Sequence, residues 1–295
     1  MVNNYTLIIY IKLQEVRAII KSILDPKIDF VFKNIFGSSK HPRILISFLN
    51  SVLKPKNLIS KVEIKNTDIE KHFVEDKFSR LDVKAETNTG EIINVEIQLK
   101  NEYNMIKRSL YYWSKLYEEQ LSEGEDYSEL KRTVCINILN FKYLKNDRFH
   151  NGYRLKEIET QEELSGLLEI HFIEIPKLDK NSDEKDMLVA WTEFLKNPES
   201  EKVRSLEMTI EEIREAKDEL VRLSNDEEQR QIYEMRSKIL KDKISALNKA
   251  KKEGVEEGIK QGKIEIAKSL KGLLEDDVIA EKTGLDLEII KNLLN

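Results

Sequence analysis

The segment "SRLDVKAETNTGEIINVEIQLK", Ser79 to Lys100, constrains the fold more than any other stretch of the chain. Leu81, Val83 and Ala85 alternate with Asp82 and Lys84, and Val95, Ile97 and Leu99 alternate with Glu96 and Gln98. A period of two marks strands with one buried face. Between the runs, "TNTGE" supplies tight-turn chemistry, so the spacing predicts a hairpin folded about Thr89. In that register Asp82 falls opposite Glu96 and Lys84 opposite Asn94, all on the face away from the Val/Ile/Leu set. Like charges facing each other across a ladder, with Cβ atoms about 4.5–5.5 Å apart, repel. One reading is a solvated face whose carboxylates point into water near Lys84. A second is a divalent cation such as Mg²⁺, which takes one or two carboxylates and keeps several waters. A third is a retaining glycosidase pair about 5 Å apart. That chemistry needs sugar-stacking aromatics, and only 7% of the chain is aromatic.

The chain has 295 residues, of which 35% are charged and 40% hydrophobic. That composition describes a helix-rich chain with one sizeable core, appendages and many solvated faces. The formal net charge of −5 argues against a general nucleic-acid binder, although local basic groups decide phosphate contact in a cleft. Cys135, the sole cysteine, sits in the apolar run "TVCINIL" and reads as a buried strand residue. A single cysteine excludes an intrachain disulfide and suits the reducing cytoplasm. The four histidines have no zinc-like spacing, and His72, nearest the carboxylates, reads as a loop or strand residue. No stretch approaches the ~20 apolar residues of a membrane span. Lys12, Glu15 and Arg17 interrupt the first apolar run too early for a signal peptide.

From Lys27, apolar Phe30, Val31 and Ile35 recur at helical spacing up to Gly37, a C-cap residue. Asp29 falls at the start of this helix, where it serves either as a capping carboxylate or as a metal ligand. A second helix is expected over about Pro42 to Leu53, and at least one strand in "KVEIKNTDIEKHFVEDK". Asn104 to Leu121 is the clearest helix. Ile106, Leu110, Trp113, Tyr117 and Leu121 form one stripe, with Arg108, Tyr111, Tyr112 and Lys115 opposite. The basic face is either ordinary solvated surface or a phosphate-binding face near Gln98. Strands return at "KRTVCINILNF" and "LLEIHFIEIPKL", joined by an exposed basic connection carrying Lys142, Lys145, Arg148 and Arg154. This order suits an α/β core, a mixed sheet flanked by helices.

After Pro176 the chain becomes charged, strand-poor and helical in pattern from Asp183 to about Ala250. Gly254, Gly258 and Gly262 follow at intervals of four. Each costs a helix about 1 kcal/mol relative to alanine, so they mark a loose linker or a helix that a partner approaches closely. The unbroken pattern through Ile264, Ala267 and Leu270 favours the helix. The final block, "VIAEKTGLDLEIIKNLL", reads as a small helix-turn-helix or generic helical hairpin, with Ala280 in the first helix, Gly284 at the turn and Ile290 packing.

Four blocks, "DPKIDFVFKNIFG", "FSRLDVKAE", "NVEIQLK" and "KRSLYYWSKLY", resemble the Rpn family in order and spacing. These are recombination-promoting, transposase-associated nucleases of the PD-(D/E)XK superfamily, and the resemblance covers about Leu24 to Leu178. By that likeness the fold is restriction-endonuclease-like. Asp82 is the motif aspartate, Glu96 the acidic residue of the E-x-K/Q motif, and Asp29 an N-terminal acidic position. Gln98 stands where most of the superfamily has lysine, and glutamine there fits the Rpn pattern.

The resemblance implies a Mg²⁺- or Mn²⁺-dependent DNA endonuclease of low sequence specificity. Asp82 and Glu96 bind metal, Asp29 contributes, Gln98 positions water, and Arg108, Tyr112 and Lys115 hold backbone phosphate. The competing expectation is a non-catalytic DNA-binding or assembly module that keeps the nuclease fold as a scaffold. The expected organisation is an extension over 1–20, a nuclease-like domain over 21–180, a helical region over 181–250, and a glycine-repeat helix with helix-turn-helix over 251–295. Self-association, most simply a dimer, is expected through the C-terminal helices.

Overall fold

The computed structural model describes residues 22–65, 82–179, 182, 183 and 185–293. The expected extension over 1–20, together with His72 and Leu81, lies outside the described residues. The chain forms two compact units, ending and beginning at Arg236 and Ser237.

The first unit opens with α1 (Asp29–Phe36) and α2 (Pro42–Leu53). Pro42 presets the first turn of α2, and Lys54 ends it in the left-handed region at φ 44°. Strands β1 (Val62–Lys65), β2 (Val83–Thr87) and β3 (Ile92–Gln98) follow, then α3 (Met105–Glu118), β4 (Thr133–Leu139), β5 (His150–Lys156) and β6 (Glu163–Glu174). They build one mixed six-stranded sheet in the order β1-β2-β3-β4-β6-β5. β1, β2 and β3 pair antiparallel, β3–β4 and β4–β6 pair parallel, and β5 closes the edge antiparallel to β6. The crossover from β3 to the parallel β4 needs a helix, and α3 supplies it.

Helix α3 covers one face of the sheet. Met105, Tyr112 and Leu116 pack on Cys135, Leu139, Ile170 and Phe172. Ser109 Oγ donates to Asn137 Oδ1 at 2.9 Å and Trp113 Nε1 to the Thr133 carbonyl at 2.9 Å, fixing the helix rotation. The buried stripe is therefore Met105, Ser109, Tyr112 and Leu116. Ile106 and Leu110, expected inside, are 49% and 45% exposed. The small polar Ser109 can lie flat against Asn137, and that hydrogen bond decides the rotation where hydrophobic periodicity was ambiguous. Cys135 is buried on its strand, as expected.

The expected exposed basic connection between β4 and β6 contains β5. Arg154 lies on that strand, with Nε 2.7 Å from Glu169 Oε2 and Nη1 3.2 Å from Glu163 Oε1. The polar run "HNGYRLK" has no alternating apolar face, so an edge strand here leaves little periodic signal.

Four helices follow: α4 (Met187–Lys196), α5 (Glu201–Thr209), α6 (Glu211–Asn225) and the 44-residue α7 (Glu227–Leu270). Asp186 and Ser200 cap α4 and α5 through backbone N–H groups. The boundary expected at 180/181 falls inside the first unit, because α4 packs with α2, α6 packs with α1 and α2, and α5 packs on α4 and α6. Trp191 of α4 is fully buried, 5.4 Å edge-on from the Phe36 ring, which lies 5.4 Å from Phe48. The Leu24 amide donates to Ser224 Oγ and Lys27 Nζ to the Leu195 carbonyl, tying the first block to helices some 170–200 residues later.

In the second unit α7 continues through Gly254, Gly258 and Gly262 as helix, as the unbroken pattern favoured. Then come α8 (Asp276–Thr283) and α9 (Leu287–Asn292), turned by Gly284 at φ 62°. Ala267, Ile279 and Ile290 form the unit's small core, with Ala280 packed against it. Among the described residues no helix is long and apolar enough to cross a membrane.

Candidate active site

The hairpin register is the one the sequence predicts: Val83 pairs with Val95 and Lys84 with Asn94. Asp82 directly precedes β2, and its Oδ2 accepts the Ile97 N–H at 2.8 Å. Glu96 sits within β3, whose parallel pairing to β4 puts both faces of the strand under cover. Its relative exposure is 1%. Glu96 is thereby withdrawn from solvent, while Asp82 is part-buried at the edge of a groove. The alternation of apolar and polar residues marks two faces, and helix α3 buries the polar one.

Burial of these groups has an electrostatic consequence. Desolvation, then the charge of Glu96, raise the Asp82 carboxyl to about 7, with Asp29 adding and the Ile97 amide and Arg108 opposing. Desolvation likewise raises Glu96, against the charge and hydrogen bonds of Arg108 and a weaker side-chain interaction with Asn94. Among the described residues Glu96 Oε1 is buried without a hydrogen-bond partner, as is Asn94 Oδ1. A buried carboxylate oxygen with no donor is costly unless a cation or water meets it. No three His, Cys, Asp or Glu side chains gather into a ready-made metal cage among the described residues. A hard cation that keeps several waters needs only one or two carboxylates, the number that Asp82 and Glu96 offer.

Arg108 lies over this pair. Its Nε and Nη2 both reach Glu96 Oε2 at 3.3 Å, and its guanidinium carbon stands 5.0 Å from the centroid of the Tyr112 ring. Tyr112 is 7% exposed and belongs to the core beneath α3, so its ring supports the guanidinium from below. Lys115 follows on the same helix, part-buried. Gln98 ends β3 two residues beyond Glu96, so it shares that face of the sheet. It is part-buried, and its carbonyl accepts the Asn140 N–H at 2.9 Å.

Asp29 occupies the first turn of α1, with Ile28 as the capping position. Its Oδ1 accepts the Phe30 N–H at 2.7 Å, and Oδ2 lies 3.7 Å from Arg236 Nη1. Asp29 and Asp82 line one groove of about 600 Å³. The structure thus brings Asp29, Glu96 and Arg108 into electrostatic range of Asp82, although the four come from separate segments. Arg222 and Arg236, which line the same groove, had no local signal, because each sits in a charged helical run.

A second polar network, also without a sequence signal, lies between β5 and β6. His150 Nε2 and His171 Nδ1 share a hydrogen bond of 2.9 Å, and His171 Nε2 is 2.6 Å from Glu169 Oε1. Burial, then the neighbouring His171, lower His150 to about 4. Despite burial, hydrogen bonds from His171, Arg154 and Arg132 bring Glu169 down to about 2.

The mixed sheet thus carries a buried carboxylate on β3, faced by a second at the hairpin's end. The chain belongs to the PD-(D/E)XK nuclease family transposases, whose family model matches residues 26–250. No curated protein and no solved structure matches the chain. Membership supports a nuclease-type function with DNA as the class of substrate, in a family that usually uses divalent metals.

Proposed function

We propose that the protein is a Mg²⁺- or Mn²⁺-dependent DNA endonuclease of low sequence specificity, of the recombination-promoting, transposase-associated type. The observation that carries this reading is the orphaned Glu96 Oε1, buried beside a second raised carboxyl in a chain of this family. Asp82 and Glu96 hold the metal, and Asp29 contributes from α1. A bound divalent ion supplies Lewis-acid polarisation of a phosphoryl oxygen and a water of lowered pKa.

The remaining work belongs to this chain's own groups. Gln98 orients the attacking water through its amide, which can donate and accept but carries no charge. Arg108 holds backbone phosphate and offsets developing negative charge, with Lys115 alongside and Tyr112 fixing the guanidinium. These contacts address phosphate rather than base edges, hence the low sequence specificity. Self-association through the glycine face of α7 completes the reading. A Cβ at Gly254, Gly258 or Gly262 would meet nothing within 4 Å, which leaves that backbone open to a second copy. The setting is the cytoplasm, where the buried Cys135 thiol stays reduced.

Plasmid nicking with Mg²⁺ or Mn²⁺, abolished by EDTA and by Asp82→Asn, is the test. Intact plasmid together with melts indifferent to either metal refutes it. The alternative, a catalytically inactive DNA-binding or assembly module, draws on neutral Gln98 and on Arg108, which already neutralises Glu96. It expects DNA binding without metal uptake.

A further inference from the structure

The groove that holds Asp29 and Asp82 continues away from Glu96, Gln98 and Arg108, none of which lines it. Its wall is built from the exposed side of α1, the loop after it, the end of α6 and the start of α7. Four cationic side chains, Lys33, Lys40, Arg222 and Arg236, share the lining with three carboxylates, Asp29, Asp82 and Glu219. The charges are not evenly committed. Glu219 is 8% exposed and is held by Arg222 through Nε and Nη2 at 2.8 and 2.7 Å. Asp29 and Asp82 belong to the proposed metal site. A divalent cation held by Asp29 and Asp82 adds to the excess of positive charge on this wall and leaves Lys40 and Arg236 without matching anions there.

Both are accessible, whereas Arg222, although 58% exposed, is engaged by Glu219. Lys40 is exposed, with no ion pair among the described residues, and Arg236 is 47% exposed across a 3.7 Å contact with Asp29. Asn34 and Ser38 add neutral hydrogen-bonding groups between them. A space of about 600 Å³ lies within the range of clefts that take one small ligand. It suits a short stretch of phosphodiester backbone rather than a whole duplex.

We propose that this groove is a second DNA-backbone site, in which Lys40 and Arg236 contact phosphates on the side of Asp82 remote from Arg108. The proposal rests on the nuclease reading above and extends it. DNA is then held on both sides of the acidic pair, and positioning no longer depends on Arg108 alone. Phosphate contacts of this kind add affinity and register without reading sequence.

The experiment measures binding of a labelled 20-base-pair duplex to the full chain by fluorescence anisotropy, with Ca²⁺ present, across a salt series. Each phosphate contact contributes about 0.7–0.9 to the slope of log K against log salt. Lys40→Ala with Arg236→Ala should lower the slope by about 1.4–1.8, and Lys40→Arg should keep the wild-type slope. Calorimetric Ca²⁺ titration without DNA should still show uptake by the double variant, which reports an intact metal site. An unchanged slope in the double variant, beside a lowered slope in Arg108→Ala, overturns the groove and leaves the nuclease reading standing. Absence of salt-dependent DNA binding by the wild type overturns both.

Discussion

Replacing Asp82 with asparagine probes the acidic pair most directly. The amide oxygen can keep the 2.8 Å hydrogen bond from Ile97 N–H, so local geometry is retained while the charge disappears. In the unfolded chain the carboxyl titrates near 4. In the folded protein desolvation and Glu96 raise it from 3.8 to about 7. Because the folded value lies above the unfolded one, the native state binds the extra proton between these limits, and stability falls as pH rises from about 4 to 7. Below that window both states are protonated and Asp82 costs nothing. Above it the penalty is complete, about 4 kcal/mol at ~1.4 kcal/mol per tenfold. Solvent reaching this part-buried group lowers the measurable effect to about 2–4 kcal/mol.

Asp82→Asn should therefore stabilise the metal-free protein by about 2–4 kcal/mol at pH 8 and by almost nothing at pH 4. Denaturant unfolding followed by tryptophan fluorescence reads the relevant unit, since Trp113 and Trp191 both lie before Arg236. At saturating Mg²⁺ the gap should shrink or close. Metal at a hundredfold excess over Kd adds about 2.7 kcal/mol to the wild type and little to the variant, and nicking should be lost. A variant equally stabilised at both pH values, or destabilised at pH 8, refutes the assignment of Asp82 as a strained, charge-repelled group.

Gln98→Lys should retain or raise nicking, because it restores at the end of β3 the charge used across most of the superfamily; a complete loss of activity with unchanged folding counts against Gln98's role. Arg108→Ala should lower the DNA salt slope by about 0.7–0.9 and destabilise the metal-free fold by about 1–3 kcal/mol, since buried Glu96 loses a charged donor. Gly152→Ala should destabilise by about 1–3 kcal/mol, because its Cβ would stand 3.0 Å from the His171 ring; an unchanged melting midpoint refutes that close approach. Truncation after Ala250 should lower the oligomeric state in light scattering, and the same monomeric mass for both chains removes the glycine face as an interface.

The local features of the fold were legible in the sequence because they repeat over short distances. The two-residue alternation about Thr89 determined the β2–β3 register, and proline and glycine punctuation placed α2 and the turn at Gly284. The acidic residues Asp29, Asp82 and Glu96 were visible as residues, and their likeness to a nuclease motif supplied a role. Their environment was not visible. Alternation distinguishes two faces of a hairpin but cannot say whether a helix will cover the polar one. Only the packing of α3, rotated by the Ser109–Asn137 hydrogen bond, turned Glu96 from a surface charge into a buried carboxylate. The same rotation put Tyr112 beneath Arg108 and left Ile106 outside. Helices α4 to α6 read as a separate charged region, yet Trp191, Leu195 and Ser224 complete the packing around the first block. Arg222 and Arg236 joined the groove of Asp29 through that packing. Propensity and periodicity act between neighbours in sequence, whereas desolvation and charge pairing act between neighbours in space; the first determined the elements, and tertiary structure alone decided the chemistry of the site.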